Sequence, residues 1–299
     1  MNVMQKTALV SLIGPPNAGK STLLNKILGE KVSIVSHKVQ TTRTRVRGIL
    51  TQDETQLVFT DTPGLFKPKK KLEKAIVQAA VDGISDADVL CVILDSSYRT
   101  LSDWENVQKF LPEKSRHPIY LVLNKIDKID TKDLLELSQK INGEYEFKAT
   151  FMLSAQNGSG VDDLVKTLME EAREEPWLYP ENQLTDLPNR LMSAEITREH
   201  LFHNLHQELP YNLTVETEEW ENFENGDVKI SQVIYVTRSG HKGIILGKQG
   251  ETLKRISIAA RKELEELLER RVHLKIFIKV REKWMDDPER FSLWGLESS

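Results

Sequence analysis

The sequence predicts two domains of different class. Residues 1–175 read as a mostly parallel, doubly wound α/β domain. Residues 189–285 read as a smaller α+β domain, with a linker over 176–188 between them and a tail over 286–299. Three observations predict this. Val/Ile/Leu runs without polar alternation recur between helical patterns along the first part, as strands covered on both faces of a sheet require. The alternation stops near residue 175, where "EEPWLYPENQLTDLP" carries Pro176, Pro180 and Pro188 and reads as a linker. The order beyond it is helix, strand, strand, short helix, glycine loop, long helix, strand.

In the first part the strand candidates are 8–14, 45–53, 55–61, 88–95, 119–125 and 149–155. Helical segments lie between them. In "KSTLLNKILG", Leu23, Leu24, Ile27 and Leu28 share one face and Gly29 is a stop signal. In the second part a helical segment over 189–208 precedes strand-like runs at 211–220 and 228–238. Asn225-Gly226 between those runs is a hairpin signal. A short helix, the loop "GKQG", a helix over 251–270 and an alternating strand over 272–280 complete the chain. There is no internal repeat and no low-complexity tract.

Hydrophobic residues make up 39% and charged residues 29% of the 299, which suits a soluble globular protein. The net charge of −4 gives no whole-chain nucleic-acid signal. No apolar run reaches membrane length, and the opening residues lack a small-residue cleavage pattern. Cys91, the single cysteine, sits in the apolar run "DVLCVILD" and reads as a buried structural thiol; a disulfide framework within the chain is excluded. The chain reads as cytosolic.

"GPPNAGKS" fits G-x-x-x-x-G-K-[ST], with Gly14, Gly19, Lys20 and Ser21 at the fixed positions and Pro15, Pro16, Asn17 and Ala18 between them. Glycines let the backbone wrap phosphate oxygens, the lysine supplies charge to the β- and γ-phosphates, and the hydroxyl meets Mg²⁺. Three further pieces follow, each after a strand. "DTPG" places Asp61, Thr62, Pro63 and Gly64, then Leu65, at a strand's carboxyl end, where α/β sheets bind ligands. Asp61 there can hold Mg²⁺ through water, and the Gly64 N–H can meet the γ-phosphate. "NKID" offers Asn124, Lys125, Ile126 and Asp127. Asp127 can accept from the ring N–H and exocyclic amine of guanine, a donor pair that adenine lacks. "SAQNG" offers Ser154 and the Ala155 N–H, a donor for guanine O6. Four pieces in this order select GTP over ATP.

Together these motifs resemble the translation-factor class of P-loop GTPases. "QTTR" resembles the second motif of the Era and MnmE-type members. The resemblance implies a switch I around Gln40, Thr41, Thr42, Arg43 and Thr44, with Thr42 joining Ser21 and Asp61 on Mg²⁺ and Thr41 as its near rival. Ras-like GTPases place a water-orienting glutamine after D-x-x-G; here Leu65 stands there. Two sources of help remain open. A partner supplies a group, or Asn17 helps hold a K⁺ ion beside the phosphates, as the resembling "PNAGKS" loops do. The competing role for Asn17 is to brace switch I. Either way the expected intrinsic turnover is slow.

"GKQG" lacks the lysine–serine end of a phosphate loop for nucleotides. It matches G-x-x-G, with which KH domains clamp an RNA backbone, and the surrounding element order resembles the type II KH module. Residues 238–283 carry thirteen Lys/Arg and six Asp/Glu, whereas 208–227 carry seven acids and no Lys/Arg. The near-neutral total hides this polarity, and a one-sided basic region is an RNA-binding footprint. The candidate RNA residues are Lys242, Ile244, Gly247, Lys248, Gln249, Gly250, Lys254 and Arg255, with Ile245 and Leu246 also candidates to pack beneath bases. Along "RKELEELLERR" a solvated face with i,i+4 pairs is the preferred reading. Trp284, Phe291 and Trp294 read as packing on the domain's own surface rather than as base-stacking groups. His200, His203 and His206 do not read as a metal site.

A GTPase domain followed by a type II KH domain resembles the Era family over almost the whole chain. The resemblance implies GTP/GDP and Mg²⁺ as ligands, binding to the 3′ end of 16S rRNA in small (30S) ribosomal subunit assembly, a monomer, and peripheral association with the inner face of the cell membrane. The rivals are a GTPase acting on another RNA, an MnmE-type tRNA-modifying enzyme, and a constitutive RNA binder with a structural nucleotide domain. Intact Lys20, Ser21, Asp61 and Asp127 argue against the last.

Overall fold

The computed structural model describes residues 4–38, 41–43, 45–68, 71–97 and 100–287. Gln40 and Thr44 of the expected switch I, and Phe291 and Trp294 of the tail, lie outside the described residues. The chain divides into two compact units, with the boundary between Asp186 and Leu187.

The first unit holds strands β1 (Lys6–Ile13), β2 (Val46–Gln52), β3 (Thr55–Asp61), β4 (Val89–Asp95), β5 (Ile119–Asn124) and β6 (Ala149–Leu153) in the order β2-β3-β1-β4-β5-β6. β2 runs antiparallel to β3, and every other pair is parallel. Helices α1 (Lys20–Leu28), α2 (Lys71–Ser85), α3 (Thr100–Val107), α4 (Thr131–Glu144) and α5 (Val161–Glu170) cover both faces. Cys91 and Ile93 pack with Leu23 and Leu24 of α1 and Leu164 of α5. Their neighbours Leu90, Val92 and Leu94 pack with Ala80 of α2, Trp104 of α3 and Leu134 of α4. Because both sides of β4 are dry, its sequence shows no polar alternation. Burial pushes the Cys91 thiol up to about 12, so it stays protonated and inert.

The proline-rich segment is more than a spacer. β2 is an edge strand, and unpaired edge groups need cover. Ile49 N–H donates to the Leu184 carbonyl (2.8 Å), and Thr185 Oγ1 to the Arg47 carbonyl (2.7 Å). The buried Gln56 side chain accepts from the N–H groups of Leu178 and Tyr179, each at 3.0 Å, and donates to the Tyr179 carbonyl (2.9 Å). Residues 178–185 are thus strapped to the edge of the first unit.

The second unit runs α6 (Asn189–Asn204), β7 (Leu213–Asn222), β8 (Val228–Val236), α7 (Ser239–Leu246), α8 (Glu251–Leu268) and β9 (Val272–Val280). β7 and β8 form an antiparallel hairpin, and β9 joins β8 in parallel. Val228 and Ile230 pack with Met192 and Ile196 of α6 and with Ala260 and Leu264 of α8, while Ile234 and Val236 pack with Leu201, Phe202 and Ile256. The opposite sheet face carries a charge ladder. Lys229 bridges Glu219 (3.1 Å) and Glu221 (3.0 Å), and Lys279 meets Glu218 (3.0 Å). The acids that looked segregated in sequence are therefore partly neutralised across the strands. Arg261–Glu265 and Lys262–Glu266 are the expected i,i+4 pairs. Trp284 is fully buried, as a packing residue is. His200 pairs with Glu263 (2.7 Å), tying α6 to α8. Among the described residues no helix is long and apolar enough to cross a membrane.

Candidate functional site

The loop between β1 and α1 folds as it does because two glycines leave no room for a side chain. Gly14 and Gly19 have φ of +152° and +96°. A Cβ would lie 2.1 Å from the Ile93 carbonyl oxygen at Gly14 and 2.2 Å from Asn124 Nδ2 at Gly19. Lys20 opens α1 and folds back beneath the loop, where its Nζ donates to the carbonyls of Gly14 (3.2 Å) and Pro15 (2.9 Å). Burial lowers the Lys20 ammonium to about 8, against the opposing pull of Asp61.

Ser21, Thr42 and Asp61 come together. Ser21 Oγ donates to Asp61 Oδ2 (2.6 Å) and stands 3.1 Å from Thr42 Oγ1, which donates more weakly to the same oxygen (3.4 Å). Thr41 turns away and donates to the Lys38 carbonyl (2.6 Å). Asp61 is wholly buried, and its Oδ1 has no hydrogen-bond partner among the described residues. Burial pushes its carboxyl up, against the Lys20 charge and three hydroxyl donors. One carboxylate and two hydroxyls are hard oxygen donors of the kind Mg²⁺ takes alongside waters and phosphate. The third hydroxyl, Ser33 Oγ at 2.9 Å from Asp61 Oδ2, was not legible in sequence. It is held by the Asn25 side chain, whose Oδ1 accepts from the Ser33 N–H (3.0 Å) and whose Nδ2 donates to the Ser33 carbonyl (2.7 Å).

Gly64 lies against the phosphate loop, since a Cβ there would meet Pro16 N at 2.6 Å, and Leu65 N–H donates to the Gly14 carbonyl (2.9 Å). Thr62 is buried and donates to the Leu12 carbonyl (2.8 Å). The Leu65 side chain, 1% exposed, belongs to the core beneath the site. Asn17 Nδ2 donates to the His37 carbonyl (2.8 Å), joining the loop to the segment that precedes Thr42.

At the far side, the buried Asn124 organises three chain segments. Its Nδ2 donates to the Ala18 carbonyl (2.8 Å), and its Oδ1 accepts from Lys125 N–H (2.8 Å) and Ala155 N–H (3.0 Å). The Ala155 N–H, expected to serve guanine O6, is thus directed to Asn124. Ser154 Oγ donates to Asp127 Oδ1 (2.6 Å) and steadies that carboxylate. Lys125, in a left-handed conformation with φ +65°, reaches the Asn17 carbonyl (2.7 Å) and Asp95 (2.5 Å). Against the upward push of burial, Lys125 and Ser97 hold the Asp95 carboxyl below its usual range. Sequence reasoning missed Asp95, although its place at the carboxyl end of β4 was a usable signal.

The second loop is open. Gly247, Gln249 and Gly250 have φ of +72°, +54° and +80°. A Cβ on Gly247 would meet Thr252 Oγ1 at 2.2 Å, whereas one on Gly250 would meet nothing within 4 Å. Lys242, Lys248, Gln249, Lys254 and Arg255 are exposed, and these cations form no ion pair among the described residues. Ile244 is 60% exposed and Ile258 50%, an apolar strip beside the cations. Ile245 is fully buried among α6, β7 and β8 residues, so it is core and cannot pack beneath a base.

Residues 9–125 match the family described as 50S ribosome-binding GTPase, and residues 208–285 match the KH domain family. The chain is 53% identical to GTPase Era of Agrobacterium fabrum over 98% of this chain and 92% of that protein. It is 52% identical to GTPase Era of Sinorhizobium medicae over 99% and 95%. A crystal structure of Era in complex with MgGDPNP and nucleotides 1506–1542 of 16S ribosomal RNA matches with TM-score 0.90 and 38% identity, over 98% of this chain and 99% of that one. An Aquifex aeolicus Era variant bound to GDP·AlF4⁻ matches equally well, over 98% and 100%. A P-loop GTPase unit with Ser21, Thr42 and Asp61 gathered at its phosphate loop, followed by a KH unit, in a chain half identical to these relatives, belongs to the Era family of GTPases.

Proposed function

We propose that this chain is a GTP-hydrolysing switch that binds the 3′ end of 16S rRNA through its KH unit and acts in small-subunit assembly. The observation that carries the switch is the meeting of Thr42 with Ser21 and Asp61. A residue from the segment after Asn17's brace reaches the phosphate loop, so nucleotide state and the conformation of that segment are linked. Lys20 holds the β- and γ-phosphates. Ser21, Thr42 and Asp61 hold Mg²⁺, which neutralises phosphate charge when bound. Asp127 reads guanine, with Asn124, Lys125, Ile126, Ser154 and Ala155 shaping its pocket. Lys248 and Gln249 lead the RNA contact at the exposed loop, and Lys242, Ile244, Lys254 and Arg255 flank it.

Leu65 has no group to orient water, so transition-state charge must be met elsewhere. Asn17 braces residue 37 through Nδ2, and its Oδ1 is the atom that would ligate K⁺. Equal GTP turnover in K⁺ and Na⁺ at matched ionic strength would remove the cation role and point to a partner's group. We place the chain in the cytoplasm, with its ribosomal target. Peripheral attachment to the membrane's inner face rests on family resemblance, and flotation with anionic vesicles tests it.

The deciding experiment measures affinity for an RNA of the 16S 3′ end with GTP, with GDP and without nucleotide. A switch gives unequal values, and by reciprocity the same RNA alters nucleotide affinity. Equal affinities in all three states would leave a constitutive RNA binder.

A further inference from the structure

At the end of the second unit opposite the GKQG loop lies an open groove of about 480 Å³, lined by Pro188, Asn189, Arg190, Trp220, Asn222 and Arg270. The loop precedes α8 and Arg270 follows it, so the 18 residues of α8 put the two places about 27 Å apart. The groove therefore lies outside the four-nucleotide clamp of the loop.

Its chemistry is specific. The Arg270 guanidinium lies 5.8 Å from the centre of the Trp220 ring and donates to Asn222 Oδ1 (3.0 Å). Trp220 Nε1–H donates to the same oxygen (3.3 Å). A planar cation and an indole are thereby fixed together, and the Asn222 NH₂ group remains as a donor for a base edge. Arg190 is anchored by carbonyls, at Glu218 (2.8 Å) and Thr217 (3.1 Å), where the register of β7 shifts at a bulge. Neither arginine has a carboxylate partner among the described residues, so both keep their charge for an anion.

The bulge also sorts the neighbouring acids. Beyond it Trp220 stands opposite Ile230 and Asn222 opposite Val228, on the face that packs against α6 and α8. Glu219 and Glu221 fall on the other face, where Lys229 engages both. The acidic strand that supplies Trp220 thus presents its aromatic ring to the groove and its carboxylates away from it.

We propose that this groove is a second RNA contact, in which a base stacks on the Trp220–Arg270 pair while the Arg190 and Arg270 guanidiniums meet an adjoining phosphate. The inference rests on the KH reading of the GKQG loop, because it requires one RNA to run from that loop along the unit. At the 3.4 Å stacked spacing of a strand, about 27 Å corresponds to roughly eight nucleotides.

The test uses the full chain and two labelled RNAs of the 16S 3′ end, five and fifteen nucleotides long, in binding titrations at fixed salt. Trp220→Ala with Arg270→Gln should weaken the fifteen-mer about tenfold and the five-mer less than twofold. Trp220→Phe, which keeps a stacking ring, should retain most fifteen-mer affinity and guards against a folding defect. Unchanged fifteen-mer binding, or equal losses on both RNAs, would overturn the proposal. Five-mer binding that survives Lys248→Asp with Gln249→Asp would overturn the loop reading itself, a separate and recognisable result.

Discussion

The loop over residues 14–21 and the loop over 247–250 use the same devices, glycines and left-handed residues ahead of a helix, and apply them under opposite conditions. In the first, Lys20 is buried and its ammonium is lowered to about 8. Asp61 is buried beside it, and the glycines touch two other strands' ends. In the second, Lys248 and Gln249 project from an exposed tip and Gly250 has open space around it. Enclosure lets a few fixed dipoles act strongly on one small ligand, because the local dielectric is low. Exposure gives up that strength and accepts a long polymer, whose affinity comes from many screened phosphate contacts. The difference is one between an enclosed reaction site and an open track.

The strongest way to break this comparison is Lys20→Met, which removes the buried charge and keeps most of the length of the side chain. GTP hydrolysis should fall about 10²–10³-fold in single-turnover assays. Nucleotide-free RNA binding should stay within about twofold, since Lys20 lies in the other unit. Loss of RNA binding as well would show that the two loops do not act as separate sites. Next in size, Lys248→Asp with Gln249→Asp puts two like charges against the RNA backbone. Affinity should fall roughly 100-fold at 0.1 M salt, with a shallower salt dependence, while RNA-free GTP turnover is unaffected.

The enclosed loop also predicts a pH signature. Folding lowers the Lys20 ammonium from 10.5 to about 8, so between these values the unfolded chain binds more protons there. Relative to Lys20→Met, the nucleotide-free protein should gain stability as pH rises across that window. With Lys20 holding phosphate as proposed, nucleotide binding requires the charged form, so GDP affinity should fall as pH rises through about 8, by up to about tenfold per unit. Calorimetric titrations of both proteins from pH 7 to 9.5 check the sign. A flat profile for the native sequence would mean that Lys20 is solvated in the free protein.

Much of this was legible because the signals were local. A strand end followed by G-x-x-x-x-G-K-S fixes where Lys20 and Ser21 stand, and unbroken apolar runs at 88–95 and 119–125 announce the covered strands β4 and β5. What was not legible depends on partners far apart in sequence. Ser33 matters because Asn25 turns it toward Asp61, and Asp95 because Lys125 reaches it. Pro176, Pro180 and Pro188 announced a linker, but the edge of β2 that residues 178–185 cover is invisible until the sheet is assembled. The KH charge asymmetry was visible and its neutralisation was not, since Glu218–Lys279 spans three strands. Ile245 looked equivalent to Ile244 because an eight-residue helix carries too little periodicity to say which face is dry.

The smallest effect sharpens the contrast at a single methyl group. Gly250 has φ +80°, and a Cβ there would meet nothing within 4 Å. Gly250→Ala should therefore cost only the left-handed strain of about 1–2 kcal/mol, offset by up to about 1 kcal/mol from a stiffer unfolded chain. The net loss is about 1 kcal/mol or less, read as a small fall in the urea midpoint with GTP turnover unaltered. Gly19→Ala adds a contact of 2.2 Å with Asn124 Nδ2 to a comparable backbone strain, and Asn124 is tied to Ala18, Lys125 and Ala155. The neighbour cannot give way without releasing the proposed guanine side of the site, so the same methyl should lower both stability and nucleotide affinity. If the two substitutions cost the same, the second loop is packed as tightly as the first, and its openness is not what suits it to a polymer.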